Sequence, residues 1–371
     1  MEESMYEKRV HNLQREMKKE KLDICLIVDR ENLIYFGGIQ QAECMAIVIP
    51  QEGNPVGVTL WLDVDFIREN CEIDDIRPYV FPKQSLADVV SEVIKEMGYD
   101  NPRIGFEKYF TSFGVFEKLK SEFDVHKFFN AGQLIYKLRS IKNKHERVLI
   151  KKASNAVLKG MEAALKVIKP GISELDIAAE TEYASMKAGS QGTPFRPQVV
   201  SGKRTLTTHP FASRKKIKNG EILLIHIGAK YEGYIAKMCR TVAIGEIPKE
   251  MEKIYEVLKE TQRKVIAEIK PGVTTRELCE TAGNFVKEKG YKKHFLSIIG
   301  YGVGLRQSEF YPVISINNDI EIKKDMVLDV LLPSIYKKGV GGPRITDTIQ
   351  VKEDHSAVSY THLTLPTILR V

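Results

Sequence analysis

The sequence predicts an α/β (α+β) protein of two domains, the second built from two similar halves. Three observations support this: strand-like and helix-like runs alternate in residues 1–140, an internal repeat occupies the remainder, and the net charge changes from −6 in residues 1–140 to +13 in residues 141–371. A chain of 371 residues has room for roughly two to three domains. With 43% hydrophobic and 28% charged residues, disordered and collagen-like classes are excluded.

The first domain, predicted over residues 1–137, alternates the two kinds of pattern. Residues 5–20 have helical spacing, and the short apolar run that follows, residues 23–28, is rich in β-forming residues. Further strand-like runs lie at 45–50, 56–62 and 77–81, and helical patterns lie at 85–97 and 112–123. This alternation is typical of an α/β domain with a mixed or parallel sheet.

The second domain, predicted over residues 138–355, contains the repeat. Ile168-Lys-Pro-Gly-Ile172 recurs as Ile269-Lys-Pro-Gly-Val273. A long helical pattern precedes each copy, and each copy continues into a capping-box pattern, Ser173-x-x-Asp176 or Thr274-x-x-Glu277, and an amphipathic helix. The same helix–turn–helix is therefore expected twice. Since β-rich sequence follows each pair, we expect a central sheet and a cleft between the halves.

Several classes of protein are excluded. The five cysteines are far apart and include no C-x-x-C pair, which argues against a disulfide framework and a thiolate zinc site. No run approaches the ~20 apolar residues of a membrane helix, and the start lacks the apolar core of a signal peptide. No basic stripe interleaved with aromatic residues indicates nucleic-acid binding. We expect a cytoplasmic protein, and we expect residues 356–371, which do not fit the preceding pattern, to be a non-native tail.

Motifs along nearly the whole chain resemble the creatinase, prolidase and aminopeptidase P group (M24). Asn32-Leu-Ile-Tyr35-Phe-Gly-Gly38 looks like the N-terminal domain motif of that family, and Leu138-Arg-Ser-Ile-Lys142 looks like its inter-domain segment. The catalytic-domain motifs are matched, in order, by residues 201–209, Gly233-Tyr234, Arg240-Thr241, Gly300-x-Gly302-x-Gly304-Leu305, Met326-Val327 and Arg344-Ile-x-Asp347-Thr348. The resemblance implies a creatinase-like N-terminal domain followed by a pseudo-twofold pita-bread domain, and a homodimer.

The resemblance also implies five metal ligands, and this sequence departs from the family at every one. The two Asp positions hold His226 and Lys237, and the His position holds Tyr301. The first Glu position is Leu331 or Leu332, depending on a one-residue insertion, and the last Glu position is Thr346. A dinuclear centre needs hard, anionic oxygen ligands. A lysine ammonium about 4 Å from a dication would be repelled by roughly 8 kcal/mol at an effective dielectric constant of about 20. We therefore predict no metal site and no cofactor.

Two residues remain for acid–base catalysis. His209 matches a histidine that the family places beside the substrate and that metal-free creatinase is thought to use as its acid or base, and histidine exchanges protons near neutral pH. Glu309 matches the Glu after the family's second motif histidine, which is Ser308 here. It is the best surviving carboxylate for acid–base work or for pairing with Lys237. Each has a structural alternative: an ordinary loop histidine for His209 and a solvated surface carboxylate for Glu309.

Four residues are predicted to bind substrate. His226 and Lys237 lie on paired strands, where two potential cations suggest an anionic ligand. Tyr301 can donate a hydrogen bond to a ligand oxygen, and Arg344 can clamp a carboxylate. The alternatives are a hydrogen-bonded core histidine, a lysine that reaches solvent, and an arginine that neutralises Asp347. We read the glycine-rich segment 300–304 as a tight β-turn or bulge.

Three functions are consistent with these residues. The first is a metal-independent hydrolase that cleaves C–N bonds in a small anionic or peptide-like molecule, with His209 as acid and base. The second is a non-catalytic binding module, a pseudoenzyme. The third is a metal-dependent Xaa-Pro peptidase with an unorthodox site, which the ligand replacements disfavour on chemical grounds.

Overall fold

The computed structural model describes residues 3–41, 44–99, 101–332, 335–358 and 369–370. The chain divides into two compact units, Met1–Arg139 and Ser140–Val371. The predicted boundary, between residues 137 and 138, lies two residues before this division. Among the described residues, none of the helices combines the length and apolarity needed to cross a membrane.

The first unit is built around a six-stranded mixed sheet in the order β4-β3-β2-β1-β5-β6. Neighbouring strands β1 and β2, and β2 and β3, are antiparallel, whereas the other three pairs are parallel. The predicted mixed α/β class is therefore confirmed. The strands are β1 Ile24–Ile27, β2 Ala46–Pro50, β3 Val56–Leu60, β4 Asp75–Tyr79, β5 Ile104–Phe106 and β6 Phe128–Asn130, and the helices are α1 Met5–Glu20, α2 Arg30–Gly37, α3 Val64–Asn70, α4 Leu86–Glu96, α5 Phe113–Glu122 and, ending at the division, α6 Gly132–Ser140.

The Asn32 motif has a structural role in this unit. Asn32 is fully buried; its amide nitrogen donates to the Glu107 carboxylate, and its amide oxygen accepts a hydrogen bond from Arg139 at 2.6 Å. Glu107 also accepts the backbone N–H groups of Val28 and Asp29. Burial raises the pKa of Glu107, and these hydrogen bonds oppose the rise. Asn32 thus links a buried carboxylate to a buried guanidinium.

The second unit contains the predicted repeat. Its main sheet has the order β11-β10-β12-β13-β9-β8-β7, with β9 and β13 adjacent at the centre and antiparallel. A hairpin system lies on each side, which gives the pseudo-twofold pita-bread arrangement. The strands are β7 Gln198–Ser201, β8 Ile222–Tyr231, β9 Tyr234–Ala243, β10 Ile298–Gly302, β11 Glu309–Ser315, β12 Val327–Leu332, β13 Ile345–Val351, β14 Ser356–Val358 and β15 Leu369–Arg370, and the helices are α7 Lys144–Val167, α8 Glu174–Lys187, α9 Lys249–Glu268 and α10 Thr275–Glu288.

Both halves start their second helix in the same way. Ser173 and Asp176 form a reciprocal capping box at the start of α8, and Thr274 and Glu277 form the equivalent box at the start of α10. In each box the hydroxyl accepts the third backbone N–H and the carboxylate accepts the N-cap N–H, so two otherwise unsatisfied donors are satisfied. The predicted helix–turn–helix repeat is confirmed.

Alternation along the central strands separates a helix-facing core from the opposite face. In β8, Leu223, Ile225 and Ile227 pack in one cluster with residues of α7 and α8. A second cluster joins α9 and α10 to β12 and β13. Because successive strand residues point to opposite faces, the residues between these core positions lie on the face away from the helices.

Two predicted segments differ in detail. The sequence has helical periodicity from Gln133 to about Lys169, which predicts one helical segment. The structure has two helices there, α6 and α7, because Ile141 forms a β-bridge with Met326 and Asn143 caps α7 with its side chain. In the predicted non-native tail, residues 359–368 and 371 lie outside the described residues, whereas β14 pairs with β13 and β15 pairs with β9.

Candidate functional site

The centre of the candidate site is formed by β8 and β9. Their register aligns His226 with Cys239 and Gly228 with Lys237, so His226 and Lys237 are diagonal neighbours on the same face of the sheet, the one away from the helices. Diagonal neighbours of this kind are within reach of long side chains. Lys237 is fixed from the next strand as well: its N–H donates to the Thr348 hydroxyl at 3.1 Å, and that hydroxyl donates back to the Lys237 carbonyl at 2.9 Å.

A buried ion pair lies at this centre. The Lys237 ammonium contacts the Asp329 carboxylate of β12, and the two side chains are 3% and 0% exposed. The ammonium also donates to the Ser308 hydroxyl at 3.3 Å. The Tyr301 N–H donates to the other Asp329 oxygen at 2.6 Å. Burial raises the pKa of Asp329, and the Lys237 ammonium opposes the rise. The alternative in which Lys237 reaches solvent is wrong.

His226 is buried without a hydrogen bond. Its ring is 8% exposed, and neither ring nitrogen has a partner among the described residues. The Phe195 ring lies beside it, with centroids 4.8 Å apart. Gly228 permits this approach, because a Cβ there would lie 2.8 Å from Phe195 Cε1. Burial and the charges of Lys237 and Arg344 hold the pKa of His226 well below 6.5. The imidazole is therefore neutral at pH 7, and it is not a hydrogen-bonded core histidine.

Arg344 lies just before β13 and is 5% exposed. Its guanidinium donates to the side-chain oxygen of Gln198 at 2.9 Å and to the carbonyl of Thr207 at 2.6 Å. Asp347 forms an ion pair with Arg240 at 2.6 Å, so this carboxylate has a cationic partner other than Arg344. Arg344 therefore ties the segment before His209 to β7 and places its positive charge close to His226.

Tyr301 and Glu309 come from the β10–β11 hairpin. The register of the hairpin is interrupted between Tyr301 and Gly302, so the glycine-rich segment contains the predicted bulge. Burial and the Asp329 charge raise the pKa of Tyr301, which keeps the phenol a hydrogen-bond donor. Glu309 is 3% exposed and accepts the Arg306 N–H at 3.2 Å. It is thus not a solvated surface carboxylate.

A buried lysine lies close to Glu309. A Cβ added to Gly304 would lie 2.9 Å from Glu309 Oε1 and 3.2 Å from Lys142 Cε. The side chains of Glu309 and Lys142 therefore border the same glycine, and Lys142 is 1% exposed.

All six predicted site residues line one cavity of about 830 Å³. They are His209, His226, Lys237, Tyr301, Glu309 and Arg344. His209 differs from the other five in being exposed, in a bend after residues 202–206. Its side chain has no hydrogen bond to a described residue, so the protein does not fix its orientation.

Two polar residues near the centre, Asp329 and Gln198, were not predicted from the sequence, and Ser308 was identified there only as the replacement of a motif histidine. Asp329 is the partner of Lys237, whereas Glu309 was the suggested partner, and Gln198 and Ser308 hold Arg344 and Lys237. A signal for Asp329 exists in the sequence: it is the only charged residue in Val-Leu-Asp-Val-Leu-Leu, the sequence of β12. A charged residue inside an apolar strand is seldom buried without a partner of opposite charge.

The side chains at this centre do not fit a pair of divalent ions. The four described replacement positions hold an unpartnered imidazole, an ion-paired ammonium, a phenol and the buried Thr346 hydroxyl; the side chains of Leu331 and Leu332 lie outside the described residues. Within the described part of the chain, no group of three or more His, Cys, Asp or Glu residues could hold a metal ion. The fixed Lys237 charge would repel a dication. Metal independence itself stays a prediction.

Cysteine chemistry is also disfavoured at this centre. Cys239 is opposite His226 in the sheet and is fully buried. Burial raises the pKa of its thiol to about 12. Since the thiolate is the nucleophilic form, Cys239 is an apolar neighbour of the site and not its nucleophile.

Comparisons with known proteins cover both units. Residues 148–353 match the family described as Metallopeptidase family M24, and residues 9–141 match the Creatinase/Prolidase N-terminal domain. The Xaa-Pro dipeptidase of Pyrococcus horikoshii is 30% identical over 340 residues, which cover 92% of this chain and 93% of that protein.

Solved structures match along nearly the whole length. A Xaa-Pro dipeptidase from Bacillus anthracis superposes with a TM-score of 0.90 at 26% identity, covering 99% of this chain and 100% of that one. The prolidase from Pyrococcus horikoshii superposes with a TM-score of 0.86 at 29% identity, covering 96% of this chain and 99% of that one.

Proposed function

The chain belongs to metallopeptidase family M24 and carries a creatinase/prolidase N-terminal domain, and from that premise we propose that it hydrolyses a C–N bond in a small anionic, peptide-like substrate without a bound metal. The observation that carries the proposal is the Lys237–Asp329 ion pair in the cavity that also holds His209, His226 and Glu309. A protein cation is already fixed at the centre, with a carboxylate to balance it.

The proposed chemistry uses His209 as the proton carrier. Its imidazole takes a proton from water as the water oxygen adds to the carbon of the C–N bond, and the imidazolium then gives that proton to the departing nitrogen. One water is consumed and an amine is released, together with a carboxylic acid from an amide or a urea from a guanidine. Donors near the developing oxyanion lower the barrier, and the Tyr301 phenol is such a donor in the cavity, whereas Lys237 is proposed to bind the anionic group of the substrate. Glu309 is the second group proposed for acid–base work.

His226 is less suited to the role of base. The neighbouring charges of Lys237 and Arg344 disfavour its protonated form, and a general base works best with a pKa near the working pH. We assign His226 and Arg344 to substrate binding. A cytoplasmic location and a homodimer are part of the same proposal, as expectations from the sequence.

One observation favours a non-catalytic binding module as the second candidate. Catalytic imidazoles are usually oriented by a hydrogen bond to another group, and the His209 side chain has none among the described residues. A binding protein would hold a ligand in the same cavity without hydrolysing it. The metal-dependent Xaa-Pro peptidase remains the third candidate, since that is the activity named for the relatives.

The test is hydrolysis in the presence of a chelator. Purified protein in EDTA is screened against guanidino acids, dipeptides and simple amides, with release of amine as the readout. We expect turnover of at least one substrate in EDTA and a loss of at least ~100-fold in kcat on His209→Ala, since general acid–base catalysis contributes about that much or more.

The matched control is His126→Ala, which removes an exposed histidine from the first unit and should leave kcat unchanged. Turnover that appears only after Mn²⁺, Co²⁺ or Zn²⁺ is added would contradict the proposal in favour of a metallopeptidase. A complete absence of turnover with either treatment would contradict it in favour of the binding module.

A further inference from the structure

His226 and Lys237, which both line the cavity, have hydrogen-bonding capacity that no described residue takes up. Both His226 ring nitrogens lack a partner among the described residues, and a neutral imidazole has one donor and one acceptor nitrogen. The Lys237 ammonium has three donors, and its described partners are the Asp329 carboxylate and the Ser308 hydroxyl. A buried polar group without a partner costs free energy, so a ligand that supplies the missing partner is favoured.

The charges around the cavity favour an anion. Among the described lining residues, Arg196, Lys237 and Arg344 are positive and Glu309 is negative. Immediately behind the lining, Asp329 balances Lys237. Lys142, which borders the same glycine as Glu309, adds another positive charge. These groups leave a positive surplus, which favours an anion over a cation. Because Asp329 already balances Lys237 at the centre, a group of single negative charge suits that position better than a dianion.

The walls of the same cavity are apolar. Phe195 lies against His226, and Phe211, Leu296, Ile298 and Phe310 line the cavity with 40–47% of their surfaces exposed. Apolar walls with a few convergent polar groups are typical of small-molecule sites. The matching ligand therefore has an anionic end and an apolar body.

We propose that Lys237 and His226 form a carboxylate-binding subsite, in which one carboxylate oxygen accepts from the Lys237 ammonium and from the His226 N–H while an aryl or alkyl group packs against the phenylalanine side chains. This inference rests on the proposed metal-independent site and deepens it, because it assigns the substrate's anionic group to the position where the family holds a metal. It does not require turnover. Asp329 acts as the positioning residue that holds Lys237.

The experiment measures binding of phenylacetate to the full-length protein in EDTA by calorimetry and ligand-observed NMR. Phenylacetamide, which has nearly the same shape without the charge, phenethylamine, which is a cation, and phenyl phosphate, which is a dianion, are measured in parallel. We expect phenylacetate to bind about 10- to 100-fold more tightly than phenylacetamide, the range of a hydrogen bond to a charged group, and phenethylamine not to bind.

Two variants test the residues. His226→Phe keeps a ring beside Phe195 but removes both nitrogens, and it should weaken phenylacetate binding at least ~5-fold without changing phenylacetamide binding. Lys237→Met combined with Asp329→Asn removes both charges together, which avoids an unpaired buried carboxylate; the introduced amide keeps an oxygen for the Tyr301 N–H. This double variant should abolish the preference for phenylacetate. The control His145→Phe changes an exposed histidine on α7 and should have no effect.

Each contrary result overturns the inference. Three results would do so: equally tight binding of phenylacetate and phenylacetamide, tighter binding of phenyl phosphate than of phenylacetate, and an unchanged preference for phenylacetate over phenylacetamide in a folded double variant. If one of these results is obtained and the protein still hydrolyses a substrate in EDTA, the proposed subsite is wrong and the proposed hydrolase activity is supported. If phenylacetate binds as expected but no substrate is hydrolysed, the subsite is supported and the proposed hydrolase activity is wrong.

Discussion

At the scale of single residues, Lys237 and Asp329 act as a unit. Each is almost fully buried, and a buried charge without its partner is destabilising by about 3–5 kcal/mol, whereas replacement of a whole pair can be neutral. A substitution of Lys237 alone would therefore change stability and site chemistry together. The pair also explains why the cavity tolerates a lysine at its centre: the compensating carboxylate is supplied from β12, two strands away from β9.

We predict that His226 makes the protein less stable in mild acid. Its pKa is well below 6.5 in the folded state because of burial and the neighbouring Lys237 and Arg344 charges. Below about pH 6.5 the unfolded chain therefore binds a proton that the folded protein does not, so stability falls as the pH is lowered. In His226→Phe this contribution is absent, and the Tm should fall less between pH 7 and pH 5 than in the wild type.

The measurement is the Tm of both proteins at half-unit steps from pH 5 to pH 8. Asp329, whose pKa is raised, contributes in the opposite direction at lower pH, but it is common to both proteins and cancels in their difference. His145→Phe is the control and should follow the wild-type curve. Parallel curves for the wild type and His226→Phe would show that His226 is protonated as easily in the folded protein as in the unfolded chain.

Motifs in the sequence identified residues that the structure brings into one cavity, whereas partners decided by a tertiary contact were missed; the roles of these residues stay predictions. His209, His226, Lys237, Tyr301, Glu309 and Arg344 all line the cavity. The partner of Lys237 was missed, because Asp329 and Glu309 are equally plausible until the register of β12 is known. The partner of Arg344 was missed for the same reason, since Gln198 is 146 positions away in the chain.

At the scale of elements, close strand packing depends on glycine. Gly300 of β10 is aligned with Val330 of β12, and a Cβ at Gly300 would lie 2.2 Å from the Asp329 carbonyl oxygen and 2.8 Å from Ile314 Cδ1. Because the carbonyl belongs to the backbone, it cannot rotate away. We predict that Gly300→Ala destabilises the protein by about 1–3 kcal/mol, the usual range for overpacking, measured by urea unfolding.

A matched control exists on α10. Gly283 lies inside that helix, and a Cβ there would meet no atom within 4 Å. Gly283→Ala should stabilise the protein by about 0.5–1 kcal/mol, because alanine is the better helix former. The same substitution is therefore expected to lower the free energy of unfolding at Gly300 and to raise it at Gly283. Equal changes at the two positions would show that β10 and β12 can separate to accommodate the added Cβ.

Elements with strong local signals were predicted, and those without were not. The capping boxes of α8 and α10 and the long strands β8 and β9 have local causes, namely side-chain caps and apolar alternation. Strand β10, Ile-Ile-Gly-Tyr-Gly, carries two glycines in five residues, and β5 and β7 have only three and four residues. Such strands are stabilised by neighbours in the sheet, which no local window contains.

At the scale of the whole molecule, the excess positive charge and the candidate site occur in the same unit. Residues 141–371 carry a net charge of +13 against −6 for residues 1–140, and every residue that lines the cavity belongs to the second unit. A positive field around a cleft raises the local concentration of anions and speeds their association. It has the opposite effect on divalent cations, which agrees with the fixed ammonium at the centre.

Thermal stability offers a test of metal independence that needs no substrate. A metal that binds only the folded protein stabilises it by RT ln(1 + [M]/Kd), about 4 kcal/mol when the metal is at 1,000 times Kd. For a unit of roughly 230 residues this corresponds to a Tm increase of about 8–16 °C. Because Lys237 repels a dication and the described centre lacks a cluster of ligands, we predict that the Tm is the same within about 1–2 °C, a margin about an eighth of that increase, in 1 mM Mn²⁺, Co²⁺ or EDTA.

Mg²⁺ at 1 mM controls for ionic strength and for weak surface binding. The double variant Lys237→Met with Asp329→Asn provides a second control, since it removes the repelling charge without creating a ligand set and should also show no response. A saturable rise in Tm with Mn²⁺ or Co²⁺, reversed by EDTA, would mean that carboxylates gather around an ion in a way these side-chain positions do not allow. The prediction of metal independence would then be wrong, and the ion pair would have to open to admit the metal.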